Sequence, residues 1–150
     1  MSIDGISERH GQLFFQLQLA AHRLRKVADR KVTAETGLTT AQAAILYVVA
    51  ARKNVMQKEI AKRLGQNDSA IGAMVSRLTR LGYLSRKRSD VDSRAAMLNV
   101  TAKGMRELQA AKRPFTELDN MLDKVFSPAE LDALSLLLTR LADALAAEAE

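Results

Sequence analysis

The chain has no cysteine among its 150 residues. Disulfides, thiolate metal sites and a cysteine redox switch are thereby excluded. Histidine is almost as scarce: His10 and His22 would sit about 120° apart on one helix, which is not the i, i+4 pair that grips a metal. No H-E-x-x-H element, phosphate-binding Walker loop, G-x-G-x-x-G or nucleophile elbow occurs. Asp90 and Asp92 fall on a basic loop where general acid and base groups are hard to hold. Catalysis, a bound metal and a cofactor are therefore not expected. The longest apolar run, Ala41 to Ala51, contains Gln42 and is too short to cross a bilayer, and no N-terminal signal pattern is present. The expectation is a cytoplasmic protein with no membrane partner, one compact unit over residues 1–150, with an ordinary 47% hydrophobic and 27% charged composition.

What is present in excess is positive charge in one place. The net charge is +6, but residues 52–106 carry 13 Lys or Arg against four Asp or Glu, and the remainder carries 10 against 13. The middle of the chain is thus +9 and the rest −3. Such a segregated excess is the electrostatic footprint of a nucleic-acid contact, although an acidic protein surface could also exploit it.

Residues 57–104 explain where that charge is displayed. A short helix from Gln57 to Leu64 ends at Gly65, and a second runs from an Asn67 N-cap to Leu81 before a left-handed stop at Gly82. At about 100° per residue, Ile71, Met74, Val75, Leu78 and Leu81 share the inner arc of the second helix. Ser69, Gly72, Ala73, Ser76 and Arg80 lie opposite. That outer face is small and weakly polar, and Gly72 costs roughly 1 kcal/mol against Ala in a helix. A bare face of this kind can enter a major groove, where Ser bonds base edges and an Ala methyl meets a thymine methyl. Tyr83–Arg88 and Ala96–Val100 then alternate as two strands of a hairpin whose polar turn is 89–93. Together these elements give a mainly α fold with a small β-hairpin wing, a winged helix-turn-helix.

The flanks read as scaffold. A long helix from Ser7 to about Ala34 repeats Leu13, Leu17, Ala20, Leu24 and Val27, widened by Phe14 and Phe15. Thr39 and Gln42 make a capping box for a largely buried helix. Arg52, Lys53 and Asn54 then turn the chain. Thr101 caps a further helix, in which Pro114 predicts a kink or break. Ser127-Pro128-Ala129-Glu130 starts the last helix, with Leu131, Leu134, Leu138, Leu141 and Leu145 on one stripe. One partner helix cannot cover so wide an apolar surface, which assigns both ends of the chain to a dimer interface. Residues 39–100 are the expected reading lobe, and 1–36 with 101–150 the expected dimerisation lobe.

The wing carries a sequence signature. Asp92-Ser-Arg94-Ala-Ala-Met-Leu98-Asn-Val-Thr101 resembles the D-x-R-x-x-x-L-x-L-T pattern of the multiple antibiotic resistance regulator (MarR) family, with Val100 where Leu is preferred. The resemblance extends through Glu59-Ile-Ala61, Arg77-Leu78, Gly82-Tyr-Leu84, Arg86 and Thr101-x-x-Gly104. It implies a homodimer whose helix from Asn67 to Leu81 enters the major groove, with Arg94 on the minor groove or backbone and Asp92 orienting a wing arginine. It also implies an aromatic or anionic small-molecule effector, bound between the reading unit and the dimer helices at residues the sequence does not locate. Met56, Gln66, Gly72 and Ala73 depart from the residues common in the family.

These readings converge on a DNA-binding transcription regulator, expected to be a ligand-responsive repressor of a pseudo-palindromic operator. Asp68, Ser69, Ala70, Ala73 and Ser76 are the expected major-groove residues. Lys62, Arg77, Arg80, Arg86 and Arg88 are expected on phosphates or the wing, with Lys58 and Arg63 as further candidates. A sequence-tolerant architectural DNA-binding protein and a winged-helix protein-interaction module share the same charge map. Arg94→Ala is expected to weaken duplex binding most at A·T-rich flanks, because a narrow minor groove concentrates negative potential on that arginine. Titrations on duplexes with altered flanks check this, and a small, uniform loss would refute the role.

Overall fold

The computed structural model describes residues 8–88 and 95–148. Its elements are helices α1 (Glu8–Glu35) and α2 (Thr40–Ala50), strand β1 (Val55–Met56), helices α3 (Gln57–Leu64) and α4 (Asp68–Arg80), strands β2 (Leu84–Arg88) and β3 (Ala96–Val100), and helices α5 (Ala102–Val125) and α6 (Pro128–Glu148). The mainly helical class with a small antiparallel sheet is as the sequence predicts. The expected Ser7 cap of α1 lies outside the described residues.

Residues up to Pro114 form one compact unit, and those from Phe115 form a second. The core of the first unit is built on α2. Its capping box is formed, with Gln42 N–H donating to Thr39 Oγ1 at 3.2 Å and Thr39 N–H to Gln42 Oε1 at 3.0 Å. Ile45, Leu46 and Val49 are wholly enclosed, as are Ile60 of α3, Ile71, Val75 and Leu78 of α4, and Leu98 of β3. Only the C-terminal part of α1 joins them, through Val32, one turn beyond the buried Ala28. Its N-terminal half stays open, with Leu13 and Phe14 exposed, Leu17 half-buried and Phe15 70% exposed.

The sheet has three strands rather than the two of a simple hairpin, in the order β1-β3-β2, all antiparallel. Two residues are too few to show the period-two alternation from which a strand is read, so β1 is silent in the sequence. It is held by tertiary contacts: Asn54, at φ 56°, donates its N–H to Asn99 Oδ1, while Asn99 Nδ2 donates to Asn54 Oδ1, each at 3.0 Å. Asn tolerates this left-handed conformation better than most side chains.

The wing is welded to α5. Tyr83 N–H donates to the Leu78 carbonyl at 2.9 Å, Thr101 N–H to the Tyr83 carbonyl at 3.1 Å, and Thr101 Oγ1 to the Gly82 carbonyl. Lys103 Nζ donates to the Leu81 carbonyl at 2.9 Å and lies 5.1 Å from the centre of the Tyr83 ring, so it neutralises the C-terminal end of α4. Gly104 lets α5 approach: a Cβ there would overlap the Tyr83 carbonyl oxygen and come within 2.7 Å of Val100 Cγ1. Farther along, Glu107 Oε2 accepts the Gly37 N–H at 2.9 Å, tying α5 to the turn between α1 and α2.

Helix α5 does not break at Pro114, which is fully buried within it. In the second unit α6 begins at its predicted box, with Ser127 N–H on Glu130 Oε2 at 2.8 Å and Glu130 N–H on Ser127 Oγ at 3.3 Å. No residue of α6 is buried. Leu131 is half-buried, and Leu134, Leu136, Leu137, Leu138, Leu141 and Leu145 are 38–61% exposed.

Gly104→Ala is expected to lower unfolding stability by about 1–3 kcal/mol, because the Tyr83 backbone and the half-buried Val100 side chain must both give way. An unchanged urea midpoint would show that α5 is not held this closely.

Candidate nucleic-acid interface

Helix α3 supplies the first part of the surface. Ile60 and Ala61 are buried, which turns Lys58, Lys62 and Arg63 outward. Met56 precedes the helix in extended conformation without a side-chain cap, where the resembled family commonly has Thr. Gly65 then adopts φ 61°, the left-handed conformation that ends α3 and lets the chain reverse within three residues.

Helix α4 starts at Asn67, whose Oδ1 accepts the Ala70 N–H at 2.7 Å. Asp68 is in its first turn, where a carboxylate favours the positive helix end. Ile71, Val75 and Leu78 are wholly buried and fix the rotation of the helix. Ser69, Ala73, Ser76 and Arg80 consequently point away from the core and are exposed, with Arg77 exposed on one flank and Ala70 half-buried on the other side. Leu81 differs from its predicted inward position: it follows the last helical residue as the C-cap and is 38% exposed.

Gly72 also differs from the simple picture of a gap left open for a groove. Its would-be Cβ lies 3.0 Å from Gln57 Nε2, because the Gln57 side chain reaches from the first turn of α3 and donates to the Asp68 carbonyl at 3.1 Å. The outer face of α4 is therefore bordered by an amide that the periodicity of α4 alone cannot reveal. The unusual glycine was the one local hint.

Strand β2 brings up the other cations. Leu84 is buried, while Ser85, Arg86, Lys87 and Arg88 are exposed. Register pairs Arg86 with Leu98 and Arg88 with Ala96, so these arginines share the face of buried Leu84 and Leu98, and Lys87 points the other way. A groove of about 530 Å³ runs between the starts of α3 and α4 and the base of the wing, lined among others by Gln57, Lys58, Asp68 and Arg86. Arg94 and Asp92, the expected wing contact and its support, lie outside the described residues. Among the described residues no carboxylate pairs with Lys62, Arg77, Arg80, Arg86 or Arg88. No group of three or more His, Cys, Asp or Glu among the described residues could hold a metal ion.

A two-helix unit with a small outward face, followed by an arginine-bearing hairpin, defines the winged helix-turn-helix class. The MarR family model matches residues 36–95. The HTH-type transcriptional regulator MgrA of Staphylococcus aureus is 27% identical over 129 residues, covering 84% of this chain and 83% of that protein. A solved structure of the transcriptional repressor CouR, bound to a 23-mer DNA duplex, is 30% identical with a TM-score of 0.82, covering 94% of this chain and 99% of that one. The PcaV transcriptional regulator from Streptomyces coelicolor, in complex with its natural ligand, is 27% identical with a TM-score of 0.81, covering 97% and 99%. The chain belongs to the MarR family of transcription regulators.

Arg80→Ala and Arg86→Ala are each expected to reduce the slope of log affinity against log salt by about one per protomer bound, hence by about two for a dimer on its duplex, and to weaken binding evenly across sequences. Titration at several salt concentrations measures this. A wild-type slope in either variant would remove that arginine from the phosphate contacts.

Proposed function

We propose that the chain is a homodimeric, effector-responsive repressor that reads a pseudo-palindromic duplex whose half-sites lie about one helical turn apart. The observation that carries this reading is the exposed row of Ser69, Ala73, Ser76 and Arg80 on a helix flanked by exposed cations. Asp68, Ser69, Ala70, Ala73 and Ser76 are assigned to the major groove. Lys62, Arg77, Arg80, Arg86 and Arg88 are assigned to phosphates, and Arg94, supported by Asp92, to the minor groove. The protein acts by binding rather than by catalysis, and it works in the cytoplasm where its DNA is.

Dimerisation is supported by the leucines of α6, six of them exposed, and by the open apolar half of α1. A monomer would leave both in water. The assignment of 39–100 to reading and of 1–36 with 101–150 to dimerisation rests on the same observation. The likeness to CouR supports repression, and a 23-mer is long enough for two half-sites centred about 10 base pairs apart. The likeness to PcaV in complex with its natural ligand supports an effector, and the family resemblance points to an aromatic or anionic one. Such a molecule acts only through different affinities for the conformations that do and do not fit the operator spacing.

Selection of bound duplexes from a random pool tests the proposal. Enrichment of an inverted repeat is the expected result, with discrimination over random duplex of roughly 10³ or more. Binding without enrichment would favour the architectural reading. No duplex binding at low salt would favour a protein partner.

A further inference from the structure

The contact between Gln57 and Gly72 supplies what the outer face of α4 otherwise lacks. That face offers two serine hydroxyls and an alanine methyl but no side chain able to hold a base with two hydrogen bonds at once. Asp68 has only acceptors to offer, and Arg80 stands at the far end of the helix. Gln57 belongs to α3, yet its amide lies across Gly72, with Nε2, Cδ and Oε1 at 3.0, 3.6 and 3.6 Å from the position a Cβ would take. It is half-buried and forms part of the groove that also contains Lys58, Asp68 and Arg86.

The chemistry of the amide fixes which atoms stay free. The Asp68 carbonyl can only accept, so the nitrogen of the amide must face it, and the 3.1 Å bond uses one of the two N–H donors. One N–H and the whole of Oε1 remain. An adjacent donor and acceptor in that order are complementary to the N7 acceptor and N6 amino group of adenine in the major groove. The bond to Asp68 also immobilises a side chain that would otherwise lose rotamer entropy on binding.

We propose that Gln57, held across Gly72 by the Asp68 carbonyl, is a specificity-determining residue that reads an adenine in each half-site. The inference rests on the DNA-binding reading above and goes beyond it by assigning base recognition to a residue outside the recognition helix. It also gives the helix-weakening glycine a reason. An alanine methyl at position 72 would press on the amide at 3.0 Å, and the flexible end of Gln57 would be the part to move.

The consequence is an unusual pair of phenotypes. Gly72→Ala improves helix propensity, so its denaturation midpoint is expected to be no lower than that of the wild type. It should nevertheless lose base preference in the same way as Gln57→Ala. Affinities of the wild type, Gln57→Ala, Gly72→Ala and the double variant are measured on operator duplexes altered one base pair at a time. The wild type is expected to prefer A·T at one position per half-site by roughly 5- to 150-fold, the discrimination of one bidentate contact. Both single variants should flatten that position and no other, and the double variant should match Gln57→Ala alone.

Two results would overturn the proposal. Unchanged base preferences in Gln57→Ala, with a uniform loss of affinity or stability, would make Gln57 a brace between helices. Additive losses in the double variant would mean that Gly72 meets DNA independently of Gln57. Failure of the regulator reading itself looks different, because the wild type would then discriminate at no position, and this inference would fall with it.

Discussion

The burial of Ile71, Val75 and Leu78 decides what the protein can present to a partner. Burying each of these side chains contributes on the order of 1.5–3 kcal/mol, far more than any polar preference on the opposite face. The rotation of α4 is thereby set, and Ser69, Ala73, Ser76 and Arg80 are left outside whether or not a ligand is there to meet them. A solvated helix would carry long charged residues along that line. The short ones here leave the backbone close to the surface, and the charge is moved to α3, to the ends of α4 and to β2.

Holding that helix at a defined place relative to α5 is the second requirement. Thr101, Lys103 and Gly104 all converge on residues 81–83, using a backbone bond, two side-chain bonds to carbonyls and a missing Cβ. Each polar link is worth about 1 kcal/mol, but together they leave the first turns of α5 little freedom to pivot on the wing. Glu107, bonded to Gly37, adds a tether one turn farther along. A reading unit fixed in this way follows a displacement of the first turns of α5 instead of absorbing it.

How much of this could be read from the sequence depended on the range of the interaction. The Thr39–Gln42 and Ser127–Glu130 boxes and the Asn67 cap are complete within four residues, and all three form as their local chemistry dictates. The arc of α4 was legible because the helix is regular, and Leu81 was misplaced because the helix stops one residue earlier. Strand β1 was not legible, since its pairing partner lies 43 residues away in Leu98 and its own two residues carry no pattern. The Gln57 amide on Gly72 was equally hidden. Its position depends on how α3 crosses α4, and the sequence offers only a glycine without an evident purpose.

The central claim is that the outer face of α4 is covered when DNA binds. Because the chain has no cysteine, a single Ser76→Cys variant places one reactive thiol in the middle of that face. Its alkylation rate with and without a bound operator duplex, set beside that of a Ser135→Cys variant on α6, reports the covering directly. The account predicts that DNA sharply slows reaction at position 76 and leaves position 135 unchanged. Equal rates at position 76 with DNA bound would contradict it.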